Sequence, residues 1–177
     1  MPRLSLSEKQ IREVAGWVAA HIAQQRAALR GKAQPIAPKH KAALEMFFPP
    51  DILIDVRVVR GQANEPSFYP RLRAMGIRNA PPFPRMAGIT FQDVVVHVEP
   101  LTRSLLFHEL VHAVQYKQLG VERFAERYVR GFLKGGSYEA IPLEKQAYEL
   151  ESRFVANPAA AFPVADDVRD RIRLNRL

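Results

Sequence analysis

The segment Leu105-Leu106-Phe107-His108-Glu109-Leu110-Val111-His112-Ala113-Val114-Gln115 sets two histidines four residues apart, with a glutamate after the first, inside a helical pattern. On a helix, positions i and i+4 lie one above the other, so His108 and His112 can aim a ring nitrogen at a single ion. Glu109 is rotated by one residue. That rotation sets its carboxylate beside a water on the metal, where it can accept a proton, rather than on the metal itself. Leu110 and Val111 are apolar, as they must be if the opposite helix face is buried. The plainer reading is two hydrogen-bonded helix histidines and a surface glutamate. It needs three separate explanations for polar groups that one metal site explains together.

A catalytic zinc site takes three protein ligands and keeps one position open. The chain has no cysteine, which excludes disulfide scaffolds, thiolate zinc fingers, iron–sulfur clusters and cysteine nucleophiles. The third ligand must then be a His, Asp or Glu. A histidine six residues beyond His112, with a glycine midway, would make the pattern a metzincin; those places hold Gln118 and Gln115. Among downstream carboxylates, Glu122 lies too close in the chain to fold back over the histidine face, Glu126 stays open, and Glu139, Glu144, Glu149 and Glu151 surround a later helix. Glu144 is favoured. It falls in the opening turn of a helix that can pack against the histidine helix, with Tyr148 one turn further on. Its plainer role would be to compensate the helix dipole, worth a few tenths of a kcal/mol up to ~1 kcal/mol.

His108-Glu109-Leu110-Val111-His112 followed by Tyr138-Glu139-Ala140-Ile141-Pro142-Leu143-Glu144-Lys145-Gln146-Ala147-Tyr148 resembles the gluzincin-type zinc metallopeptidases, in particular small single-domain bacterial ones of unassigned substrate. In those proteins a Pro-x-Glu-x-x-Ala segment, which Pro142, Glu144 and Ala147 resemble, carries the third zinc ligand. The resemblance covers about residues 88 to 154. It implies Zn2+ held by His108, His112 and Glu144, with Glu109 as general base in the hydrolysis of a peptide or protein substrate. It also implies that the stretch 88–98 forms the upper edge of a cleft, where a substrate peptide adds as a further strand. The distance in chain from His112 to Glu144 departs from that of the large thermolysin-like enzymes. The candidates for steadying the oxyanion are Tyr138 and Tyr148, with His97 third; a buried tyrosine more often packs its ring and hydrogen-bonds its hydroxyl.

Ser7 with Gln10 reads as a capping box, and Ile11, Val14, Ala15, Val18 and Ile22 follow at helical spacing, which predicts a long helix over 8–30 closed by Gly31. Pro35 and Pro38 punctuate a loop, residues 39–48 read as a short helix stopped by Pro49 and Pro50, and Ile52 to Arg60 reads as a strand. The proline-rich stretch 61–86 suits an ordered irregular loop. Gly88 to Phe91 and Val94 to Val98 suggest a hairpin or one long bulged strand. Helices are expected over 101–118, 121–134 and 142–156, with Pro142 in the first turn of the last. In that helix Leu143, Ala147, Leu150 and Phe154 make a core stripe, and Glu144, Tyr148 and Glu151 the stripe beside it. A short basic helix should end the chain. The expected fold is α+β, one zincin-like domain over 1–177: an N-terminal helical segment (1–50), a core with a small sheet (51–156) and a basic tail (157–177).

The chain's 177 residues are 47% apolar and 25% charged, an ordinary globular balance. The formal charge is +8, which permits contact with nucleic acid or an anionic surface. The basic residues are dispersed, however, and no basic run is interleaved with aromatics, so no specific nucleic-acid partner is expected. No apolar stretch approaches the ~20 residues that span a bilayer, no signal peptide is apparent, and the expected address is the cytoplasm. Two alternatives accompany the hydrolase reading: a zincin-fold binding protein without useful turnover, and a basic nucleic-acid-associated protein whose histidine pair is incidental. His21, one turn after Trp17, reads as a surface or packing residue, His40 lies among lysines, and Tyr116 reads as a core-edge aromatic. The long first helix or the loop 61–86 could cover the cleft and make the protein latent.

Overall fold

The computed structural model describes residues 6–98 and 100–177. The chain is α+β. Among the described residues there are eight α-helices and a four-stranded mixed sheet in the order β1-β2-β4-β3. Helix α1 spans Glu8–Arg30, and its capping box is formed: the Ser7 hydroxyl accepts from the Gln10 amide, and the Gln10 side chain returns to the Ser7 amide. Strand β1 (Gln34–Pro35) and helix α2 (Pro38–Leu44) follow.

The strand expected over Ile52 to Arg60 divides into two elements. Residues Pro50–Asp55 form helix α3, and only Arg57–Arg60 form strand β2. Pro50 stands at the first helical position, where its missing N–H costs nothing, and the Asp51 carboxylate accepts from the Ile52 amide at 2.9 Å. Those local bonds, with Ile52 and Leu53 buried in the core, override the β-branched composition. The stretch 61–86 is likewise more regular than expected. It holds helix α4 (Tyr69–Ala74), with Pro70 in its first turn, and a 3-10 turn at Phe83–Arg85.

Strands β3 (Gly88–Phe91) and β4 (Val94–His97) form the expected hairpin, with Thr90 opposite Val95 and Gly88 opposite His97. Its two-residue turn puts Gln92 at φ 62°, a conformation that favours glycine. Arg26 of α1 secures the neighbouring residue, donating to both Asp93 carboxylate oxygens at 2.6 and 2.9 Å. Strand β4 pairs in parallel with β2, so β3 is the outer strand.

Helices α5 (Arg103–Leu119), α6 (Val121–Gly135), α7 (Pro142–Ala156) and α8 (Val164–Arg173) complete the chain. Helix α5 packs on β3, α6, α7 and α8, while α1 packs on α6 and on the hairpin. The result is a helix enclosed on every side: residues 106–116 of α5 are all buried. One apolar cluster joins Phe47, Phe107, Phe154 and Phe162, with the Phe107 and Phe154 rings stacked 4.5 Å apart. The other joins α1, α4, α6 and β3 through Val14, Tyr69, Phe91 and Phe124. Helix α8 belongs to the first cluster, since Val164 and Val168 are fully buried. Among the described residues, no helix is long and apolar enough to cross a membrane.

Candidate metal centre

Helix α5 starts where the Thr102 hydroxyl accepts from the Leu105 amide at 3.1 Å, and it stops at Gly120, whose φ of 76° a side chain would resist. Between these limits His108 and His112 lie one turn apart, with their Nε2 atoms separated by 3.2 Å. Helix α7 brings the third group. Oε2 of Glu144 lies 3.2 Å from Nε2 of His112 and 3.5 Å from Nε2 of His108. Ligands about 2.0–2.2 Å from a tetrahedral zinc stand roughly 3.3–3.6 Å from one another. Three donor atoms separated by 3.2, 3.2 and 3.5 Å therefore fit such an ion. Two neutral imidazoles and a carboxylate are also the donor types that zinc accepts. All three residues are buried.

The histidines are held from behind. Nδ1 of His108 donates to Oε2 of Glu151 at 3.1 Å, and Nδ1 of His112 donates to Oε1 of Gln115 at 2.8 Å. These bonds put the ring proton on Nδ1 and leave each Nε2 lone pair for a metal. Gln115 is itself fixed, donating to the Leu143 carbonyl and to Gln146 at 3.0 Å each, and Gln146 donates to Asp167 at 2.7 Å. Both glutamines are completely buried. This chain of amides carries the orientation of His112 from α5 through α7 to α8.

Glu109 stands apart from the three donors and is buried under the hairpin. The Thr90 hydroxyl donates to its Oε2 at 2.6 Å, while Gly88 leaves space for its Oε1. Burial pushes the Glu109 carboxyl above the ordinary carboxylate range, against the opposing pull of His112, His108 and Thr90. Glu144 has the opposite balance. Burial would raise it, but His112 and His108 hold it far below the usual range. For His108, burial disfavours the charged ring, yet Glu144, Glu151 and Glu109 together lift its pKa to about 10. His112 is raised by the same carboxylate, Glu144, against its own burial.

Tyr138 donates its hydroxyl to Oε2 of Glu144 at 2.7 Å. Tyr148 is 43% exposed, and its ring lies 4.5 Å from the His108 ring. His97 sits on β4 opposite Gly88, with Nδ1 on the Val98 carbonyl. The other carboxylates considered from the sequence point elsewhere: Glu126 pairs with Arg130 and Glu149 with Arg171, while Glu122 and Glu139 are exposed. Glu151 reaches the site behind His108. Tyr116 is buried and stacked on Phe124, and His21 is buried among Phe68, Phe83 and Phe91, a packing position rather than a surface one.

Thr90, Gly88, Glu151, Gln115 and Gln146 take places around the site that the sequence reading did not assign. Sequence signals existed for Gln115, three residues after His112 in an otherwise apolar turn, and for Glu151, on the same helical stripe as Glu144 and Tyr148. Comparison with family models, with curated proteins and with solved structures returns no match for this chain.

Proposed function

We propose that this chain is a zinc-dependent hydrolase with a zincin-like core, acting on peptide bonds. The observation that carries the reading is the approach of His108, His112 and Glu144 to within 3.5 Å of one another through three donor atoms, next to a buried carboxylate that is not one of them. A Zn2+ held by those three residues supplies a Lewis acid and acidifies water.

Glu109 does the proton work. Its carboxylate takes a proton from the attacking water as the new C–O bond forms, then gives that proton to the amide nitrogen as the C–N bond breaks. Thr90 fixes one oxygen of Glu109 and so orients the other. The upward shift from burial brings the carboxyl closer to the pH at which one group serves as base and then acid. Tyr138 positions Glu144, and Tyr148 is the donor for the carbonyl oxygen as that oxygen gains charge. The free edge of β3 is the surface along which an extended peptide lies.

Glu109→Gln tests the reading, because it keeps the shape of the side chain and removes the base. Incubated with a mixture of unstructured peptides and followed by mass spectrometry, zinc-loaded wild type should yield cleavage products. Glu109→Gln should hold the same zinc and cleave at least ~100-fold more slowly. Equal cleavage by both proteins, or none by zinc-loaded wild type, contradicts the proposal.

A further inference from the structure

One wall of the metal site borders a half-open pocket of about 90 Å3. Glu109, His112 and Tyr116 of α5 line it on one side with Glu144; α1, α4, the end of the 61–86 stretch, β3, α6 and Tyr138 supply the rest. Its surface is almost wholly apolar. The wall contributed by the N-terminal half is a set of touching rings, with His21 lying 5.8 Å from Phe68 and 6.0 Å from Phe83, and Phe83 lying 6.0 Å from Tyr69. His21 is neutral there, since burial lowers its pKa. The only carboxylates among the lining residues are Glu109 and Glu144.

Such a space excludes a charged chain, which would lie buried and unpaired. Its volume sets the size of what enters. A cavity of roughly 150 Å3 admits the six carbons of benzene, or about 25 Å3 per carbon. At that packing the 90 Å3 chamber takes about four carbons. Resting on the hydrolase reading above, we infer that this chamber is the specificity pocket: it receives a compact, branched aliphatic group of about four carbons attached to the carbonyl that is cleaved. The long first helix and the 61–86 stretch are then parts of the substrate site, and Val18 and Phe83 act as the stops that set chain length.

The probes are hydroxamates, which bind zinc through their own oxygens and carry the acyl chain into the adjoining space. With zinc-loaded full-length protein, 3-methylbutanohydroxamate should bind about 1,000-fold more tightly than acetohydroxamate, at about 10-fold for each of its three added carbons. Octanohydroxamate should bind more weakly than the branched compound. Val18→Phe, from a half-buried position, should abolish the preference for the branched chain while keeping wild-type zinc content and thermal unfolding. Phe83→Ala should move the optimum to longer chains by at least 10-fold. Equal affinity along the series, or a preference untouched by Val18→Phe, overturns the pocket and leaves the zinc centre standing. No affinity for any hydroxamate, or no zinc in the wild type, overturns the pocket together with the hydrolase reading.

Discussion

Gly88 lies so close to Glu109 that a Cβ on it would fall 2.6 Å from Oε1 and 3.1 Å from Cδ of that carboxylate. The outer strand of the sheet and the proposed base therefore share one space, and a glycine keeps it open. A methyl there would press on the end of a flexible side chain, so the carboxylate would yield rather than the backbone. Gly88→Ala should accordingly fold, retain zinc and lose 10- to 100-fold in peptide cleavage, the scale of a misplacement of about 1 Å. Wild-type turnover by Gly88→Ala would show that the Glu109 position is not tightly required.

The groups behind the histidines should govern metal affinity. Glu151→Gln weakens the acceptor for His108, and Gln115→Leu removes the one for His112. Each should lower zinc affinity 10- to 100-fold in a chelator competition. Gln115→Leu should also destabilise the fold, because it leaves the Leu143 carbonyl and Oε1 of Gln146 without the buried donor they share. Unchanged affinity in both variants would argue that the imidazoles are held by packing alone.

Packing between α6 and α7 should act on Glu144 at a distance. Gly131 is a helical glycine, and replacing it by alanine ordinarily stabilises a helix by about 1 kcal/mol. Here a Cβ would lie 2.5 Å from the Pro142 ring and 3.5 Å from the Ile141 Cα. The start of α7 would have to move, and Glu144 is two residues further on. Gly131→Ala should therefore lower both the unfolding temperature and the zinc affinity. A gain in stability with unchanged zinc binding would contradict the contact.

The pH dependence follows from the carboxylate and imidazole charges. In the metal-free protein His108 titrates near 10, above its ordinary 6.5, so its contribution to stability is complete below 6.5 and fades as pH rises toward 10. Glu144 is held below its ordinary 4.5, so its contribution is present above 4.5 and is lost as pH falls further. Metal-free protein should be most stable between those two ordinary values. Zinc takes neutral imidazoles and must displace these protons. Its affinity should therefore rise with pH from 6 to 9, and so should the gap in unfolding temperature between zinc-loaded and metal-free protein. A gap that stays constant over this range would contradict the assignment.

Much of the framework was legible in the sequence because local signals agreed with periodicity. Ser7 caps α1, Gly120 separates α5 from α6, and Pro142 opens α7, so these helices begin and end within a few residues of expectation. The four-residue spacing of His108 and His112 was enough to bring their rings together. Where a local signal pointed the wrong way, a competing one prevailed: Pro50 and Asp51 start a helix through a β-branched run, and Pro70 falls in the first turn of a helix within the stretch expected to be an irregular loop. The contacts of Thr90 with Glu109 and of Glu151 with His108 could not be read, since they join residues 19 and 43 positions apart. They arise only when α5 docks on β3 and α7. The Phe107–Phe154 stack fixes the second of those dockings, and Phe107→Ala should cost ~3–5 kcal/mol in denaturant unfolding.

The three-ligand centre can be assayed through the zinc content of protein purified without added metal, comparing wild type with Glu144→Ala at matched folding. One zinc per chain is expected in the wild type and a marked loss in the variant, with His108 and His112 intact in both. A wild type that takes no zinc even when it is supplied, or a Glu144→Ala protein that holds it at full affinity, would contradict the three-ligand centre.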